Sequence, residues 1–161
     1  MAKKFLTISN ATIIFRNFAG KEGKFNPPGN RNFCVLLDDE VAEQLKADSW
    51  NVKYLMPKDE DQDPQPYIQV KVKYDRIPPK IVVLMGSNKR VLKEEDVAQL
   101  DWAEIENVDL TINPHNYDVR GTVGVSGYLR SMYVTLVEDE LERKYADAPE
   151  SNAYIYGDND D

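Results

Sequence analysis

Basic and aromatic side chains are interleaved in three stretches of this sequence. The first reads Phe15-Arg16-Asn17-Phe18, then Lys21, Lys24-Phe25 and Arg31 before Phe33. The second sets Lys71, Lys73 and Arg76 beside Tyr74, and the third holds Tyr117, Arg120, Tyr128, Arg130 and Tyr133. A flat ring can stack on a nucleobase while a cation follows a phosphate backbone, so the combination suits a single nucleic-acid strand. Stacking contributes roughly 1–3 kcal/mol per base, so two or three exposed rings give useful affinity. The rings have a competing use. Alternate aromatics on strands commonly fill a core, and Phe15, Phe18, Phe33 and Tyr74 each fit that role as well. Lys71 and Lys73 differ, because strict alternation puts both on one outer face with Tyr67.

Catalytic chemistry has little support beside this. His115 lies in Asn113-Pro114-His115-Asn116-Tyr117, which reads as a turn and gives the imidazole a surface or structural role. Cys34 sits in an apolar run, where a buried thiol is inert. The acidic groups at 38–40, 59–63 and 94–96 read as solvated charge at two helix starts and in a loop, not as metal sites. With a single Cys and a single His, no disulfide and no Cys/His zinc set can form within the chain. The sequence holds no Gly-rich phosphate loop and no nucleophile elbow. The expectation is a non-enzymatic protein without cofactor or metal.

The overall charge of −8 argues against a nucleic-acid partner until it is located. Residues 138–161 carry nine acids against Arg143 and Lys144, which accounts for seven of the eight negative charges. The other 137 residues hold 18 basic and 19 acidic groups, and these segregate. Glu22 is the only acid among residues 1–37, and Asp75 the only one among 67–93, while six and seven bases fall in those stretches. A nearly neutral body with two basic segments and an acidic tail is therefore expected.

These side chains need a sheet to hold them. Thr12 to Phe18, Asn32 to Leu37 and Ile81 to Met85 are short apolar or β-branched runs, the last two reading as strands buried on both faces. Tyr67 to Tyr74 alternates, with Ile68, Val70, Val72 and Tyr74 on one face and Tyr67, Gln69, Lys71 and Lys73 on the other. Val108, Leu110 and Ile112 alternate likewise, and Ser126 to Val137 is long enough for another strand. Asp38-Asp39-Glu40 opens a helix burying Val41, Leu45 and Trp50, and Glu94-Glu95-Asp96 opens a second with Val97 and Leu100 inward. Residues 57–66 form an exposed loop. A helical turn is expected over 138–145, with disorder after Pro149. No apolar run reaches the roughly 20 residues of a membrane span, and no signal-peptide h-region is present, so a soluble intracellular protein is expected.

On these elements the sequence resembles phage single-stranded-DNA-binding proteins with an oligonucleotide/oligosaccharide-binding (OB) fold. The resemblance is carried by Thr7-Ile8-Ser9-Asn10-Ala11, by Phe25 to Phe33, and by Asp101-Trp102-Ala103-Glu104-Ile105. Val108 to Pro114 and Gly124 to Leu129 complete it, so that it covers roughly residues 5 to 137. It implies a small closed or partly open β-barrel; the two helices and the strand candidates beyond five depart from the family, so the expectation is a mainly β, elaborated OB-like barrel of five to six strands with two short helices over residues 1–137, and a mobile acidic tail over 138–161. It further implies binding of single-stranded DNA with little sequence preference, in phage replication or recombination, in the cytoplasm of a bacterial host. Phosphates would be met by Arg16, Lys21, Lys24, Arg31, Lys71, Lys73, Arg76, Arg120 and Arg130. Bases would stack on some of Phe15, Phe18, Phe25, Tyr74, Tyr117 and Tyr128. The tail, through Tyr154, Ile155, Tyr156, Asp158, Asp160 and Asp161, would recruit replication or recombination proteins. Many such tails close on an aromatic residue, whereas this one closes on Asp160-Asp161. Two rival expectations are a phage-encoded DNA mimic that inhibits a host nucleic-acid enzyme and a small virion component. An exposed strand edge could also pair two copies of the chain.

Overall fold

Period-two burial builds the centre of the sheet. In the strand Gln65–Val72, Pro66, Ile68, Val70 and Val72 are buried while Tyr67, Gln69 and Lys71 stay on the other face. The computed structural model describes residues 5–24, 26–75 and 77–137. Among these, the elements run β1 (Leu6–Ile8), β2 (Ile13–Asn17), β3 (Arg31–Leu36), α1 (Asp39–Ala47), β4 (Lys53–Leu55) and β5 (Gln65–Val72). There follow β6 (Lys80–Met85), β7 (Asn88–Leu92), a 3₁₀ segment (Glu94–Asp101), β8 (Ile105–Val119) and β9 (Thr122–Leu136).

The strands form a single sheet along the path β1-β8-β9-β5-β3-β2, with β4 added to β5 and the β6–β7 hairpin added to β9. Pairing is antiparallel except where β9 meets β5 and β6, which it does in parallel. The fold is mainly β with two helices and OB-like, and its sheet is not closed. Nine strands are present among the described residues where five to six were expected. The surplus comes from β1, β4 and β7, which at three to five residues are too short for a periodic signal to stand out.

β8 and β9 are longer than their apolar patterns suggest. The segment Asn113 to Tyr117 is not a turn but the middle of β8, with Pro114 opposite Gly127 and His115 opposite Ser126. β1 begins at Leu6 opposite Ile112 and its ladder reaches no further along β8, so on that side no partner strand requires the N–H that Pro114 lacks. The chain reverses instead at Arg120-Gly121, flanked by the pair Val119↔Thr122. Both residues have positive φ, 55° and 85°, the left-handed twist that two-residue hairpin turns use and that glycine adopts without strain.

The core is apolar throughout. Phe18, Phe33, Val35, Val70, Ile81, Ile112 and Met132 are wholly buried, and Phe18 stacks on Phe33 with centroids 5.1 Å apart. α1 contributes Ala42 and Leu45 to this core, and the 3₁₀ segment contributes Val97 and Leu100. Asp101 ends that segment and accepts the backbone N–H groups of Phe18 and Ala19 at 2.6 and 3.1 Å, which fixes Phe18 as it turns inward. The expected helical turn over 138–145 and the tail lie outside the described residues.

Truncating Phe18 to Ala removes a wholly buried ring and its stacking partner's contact. Phe18→Ala is expected to lose about 3–5 kcal/mol of stability. The loss should be read as a lower urea midpoint at unchanged m-value.

Candidate nucleic-acid interface

The candidate site begins with where β5 and β9 touch. Their parallel contact is confined to Val70↔Gly127 and Lys71↔Tyr128. On its other edge β9 pairs Tyr128 with Asn113 of β8, so Lys71, Tyr128 and Asn113 form one row across three strands. The Lys71 ammonium lies 5.7 Å from the Tyr128 ring centroid. His115 meets the same ring edge-on, with centroids 5.4 Å apart and planes at 74°. Tyr128 is thus held between a cation and an imidazole on the open face of the sheet.

Depressions flank this row. One, of about 390 Å³, is lined by Trp50, Gln69, Lys71, Tyr117, Ser126 and neighbouring residues. The other, of about 220 Å³, is lined by Lys73, Ile77, Asn113, Leu129 and Arg130. His115 and Tyr128 line both, so the two form a continuous groove. A second aromatic pair lies further along the same face. Phe15, 59% exposed, meets Tyr67 at 6.0 Å and 73°. Tyr67 stands four residues before Lys71 on β5, about 13 Å along the strand. Phe15 sits in the register shift between Ile14 and Asn17 with φ of 51°. A left-handed aromatic residue costs about 1–2 kcal/mol, and here it turns the ring out of the sheet.

The expected contact residues divide by what already holds them. Lys71, Lys73, Tyr117, Tyr128 and Arg130 come together in the groove. Phe18 does not: wholly buried, it offers no ring face to a base. Arg16 donates from one guanidinium nitrogen to the Leu100 and Ala103 carbonyls, both at 2.8 Å, and so ties β2 to the end of the 3₁₀ segment. Arg31 donates to the Phe18 carbonyl at 2.9 Å and to Glu94 at 3.0 Å, and stacks 5.7 Å from the Tyr74 ring. Tyr74 packs against the core, and its buried hydroxyl has no hydrogen-bond partner among the described residues. Burial pushes that hydroxyl up to about 12, with Arg31 pulling the other way. Lys21 stands 5.2 Å over Trp102, away from the groove, while Lys24 and Arg120 are exposed. Phe25, Arg76 and all six tail residues lie outside the described residues.

The groove residues not anticipated as contacts include Trp50, Asn51, Gln69, Asn113, His115 and Ser126. Trp50 packs against the core as expected, but from beyond the end of α1 at Ala47, and its ring also lines the groove across β9. Gly127 permits this, because a Cβ there would come within 2.7 Å of Ile112 and 3.0 Å of Trp50. Cys34 is buried, and burial pushes its thiol up to about 11, which keeps it protonated and inert. Among the described residues no cluster of His, Cys, Asp or Glu is arranged to hold a metal.

The chain matches the family described as "Putative phage ssDNA-binding domain" over residues 2–161. No curated protein sequence matches it. Among solved structures, it is similar to the single-stranded DNA-binding protein from bacteriophage Enc34 in complex with ssDNA, with a TM-score of 0.57 at 10% identity. That match covers 84% of this chain and 88% of the other. A C-terminal truncation of the Enc34 protein matches with a TM-score of 0.54 at 11% identity, covering 84% and 87%. A further Enc34 structure gives 0.52 at 14% identity, covering 94% and 86%. At such identities the likeness is one of fold.

The buried Tyr74 hydroxyl makes stability depend on pH with a definite sign. The folded protein keeps Tyr74 protonated up to about 12, whereas the unfolded chain releases that proton near the ordinary value of 10. The contribution is therefore complete below pH 10 and lost as pH rises through 12. Tyr74→Phe should flatten the alkaline fall in stability across that window. At neutral pH it should be at least as stable as the parent, since it removes a buried group without a partner. Chemical denaturation of both proteins from pH 8 to 12 checks this.

Proposed function

This chain belongs to the phage ssDNA-binding domain family, and from that premise we propose that it binds single-stranded DNA with little sequence preference through the open face of β5, β9 and β8. It would protect the strand during phage DNA replication or recombination. The Tyr128 ring, with Lys71 over it and His115 at its edge, carries this reading, because it places a stacking ring beside a cation on an accessible sheet face. Lys73 and Arg130 extend the positive charge along the same groove. That basic, aromatic groove favours a nucleic-acid ligand over the DNA-mimic alternative.

The role we assign is binding without catalysis, since His115 meets the Tyr128 ring edge-on and, among the described residues, makes no hydrogen bond to Ser126 opposite it. Residues 1–137 are taken as the binding unit and 138–161 as an acidic tail. Tyr154, Ile155, Tyr156, Asp158, Asp160 and Asp161 would there recruit replication or recombination proteins. The work would be done in the cytoplasm of the host cell, and no described helix is long and apolar enough to cross a membrane.

Titration of fluorescent oligo-dT at several salt concentrations tests the reading. Affinity should fall with salt at a log–log slope of about −0.7 per phosphate contact. Lys71→Glu/Lys73→Glu should weaken binding roughly tenfold or more and make the slope shallower by about 1.4. The unfolding free energy measured in urea should stay within about 0.5 kcal/mol of the parent's, because both side chains stand on the outer face. Absence of binding by the parent protein at low salt would contradict the proposal.

A further inference from the structure

The larger depression is more than a platform. Below the Val70↔Gly127 contact the N-terminal halves of β5 and β9 separate, and Ile68 and Gln69 face Val125 and Ser126 across the gap. Residues 49–51 close its end: the Ser49 carbonyl accepts the Val125 N–H at 2.9 Å, and Trp50 bridges to Val125. The result is a cleft of about 390 Å³ with Trp50, Tyr117 and Tyr128 as aromatic walls. Asn51, Gln69 and Ser126 line it as well, and none of their side chains hydrogen-bonds another described residue. Tyr117 lies across Gly124, its cross-strand partner, where any side chain would collide with the ring.

Resting on the proposed single-strand binding, we infer that this cleft takes one nucleobase of the bound strand, inserted edge-first against Trp50 between the rings of Tyr117 and Tyr128. A sugar–phosphate backbone has no use for three aromatic walls, and an apolar ligand would leave Asn51, Gln69 and Ser126 desolvated and unpaired. A base has both the faces for the walls and the polar edge for these groups. Each amide carries a donor and an acceptor and the hydroxyl rotates, so the cleft meets any of the four edges and agrees with weak sequence preference. Lys71 at the mouth then holds the adjoining phosphate.

Trp50 reports on its own cleft once the second of the two tryptophans is removed. Trp102 is 67% exposed and outside the groove, so Trp102→Phe in the full chain should fold as the parent does. This variant is saturated, as judged by anisotropy of the labelled strand, with a short dT oligomer and with an abasic oligomer of equal length. We expect dT to quench Trp50 emission and the abasic strand to leave it unchanged. Gln69→Ala should lower affinity for dT about fivefold and leave that for the abasic strand unaltered. Equal quenching by both strands, no quenching by saturating dT, or an equal effect of Gln69→Ala on both would overturn base insertion while leaving single-strand binding intact. No anisotropy change with either strand would overturn both.

Discussion

β9 has two edges to satisfy and three strands to satisfy them with. One edge pairs with β8 along almost its whole length, from Thr122 to Leu136. The other is divided: β5 takes Gly127 and Tyr128, β6 takes Ser131 to Thr135, and between Thr122 and Ser126 neither strand follows. Everything distinctive about the outer face depends on this division. It joins β5 to β9 just firmly enough to align Lys71 with Tyr128, and it leaves beside them a gap that Trp50 lines. A fully zipped β5–β9 ladder would close that gap; none at all would separate the cation from the ring.

The energetic roles of the basic residues separate along similar lines. Arg16 and Arg31 are held by charge-assisted hydrogen bonds to part-buried carbonyls, interactions of about 1.5–3 kcal/mol that support the fold, while the exposed Arg31–Glu94 pair adds about 0–1 kcal/mol. Among the described residues, Lys71 and Arg130 are held only by the faces of Tyr128 and Phe5, at 5.7 and 4.4 Å. Such contacts contribute about 0.5–1 kcal/mol at exposed sites. A phosphate can replace them at little cost, so the groove presents oriented cations that are easily recruited. The core meanwhile contains no buried charge among the described residues, and altering the groove's charge need not disturb it.

Much of this was legible from the residues. The alternation from Tyr67 to Val72 gave the outward direction of Lys71, and the apolar centre of β3 appears as expected in Phe33, Cys34 and Val35. Other features could not be read locally. Phe15 and Phe18 stand three residues apart in similar company, yet the register shift after Ile14 turns one ring outward and Asp101 fixes the other's backbone as it enters the core. Pro114 disguised a strand as a turn, because whether its missing N–H matters depends on where a distant β1 begins. Trp50 has the composition of a core residue, and its groove position follows from Gly127, far away in sequence.

One strand of DNA is proposed to run along the β5–β9–β8 face. Photocrosslinking with a 4-thiothymidine oligomer, followed by mass-spectrometric mapping of the adducts, tests it most directly. Adducts are expected on Tyr128, His115 and Tyr117. Adducts confined to Trp102 and its surroundings, with none in the groove, would contradict it.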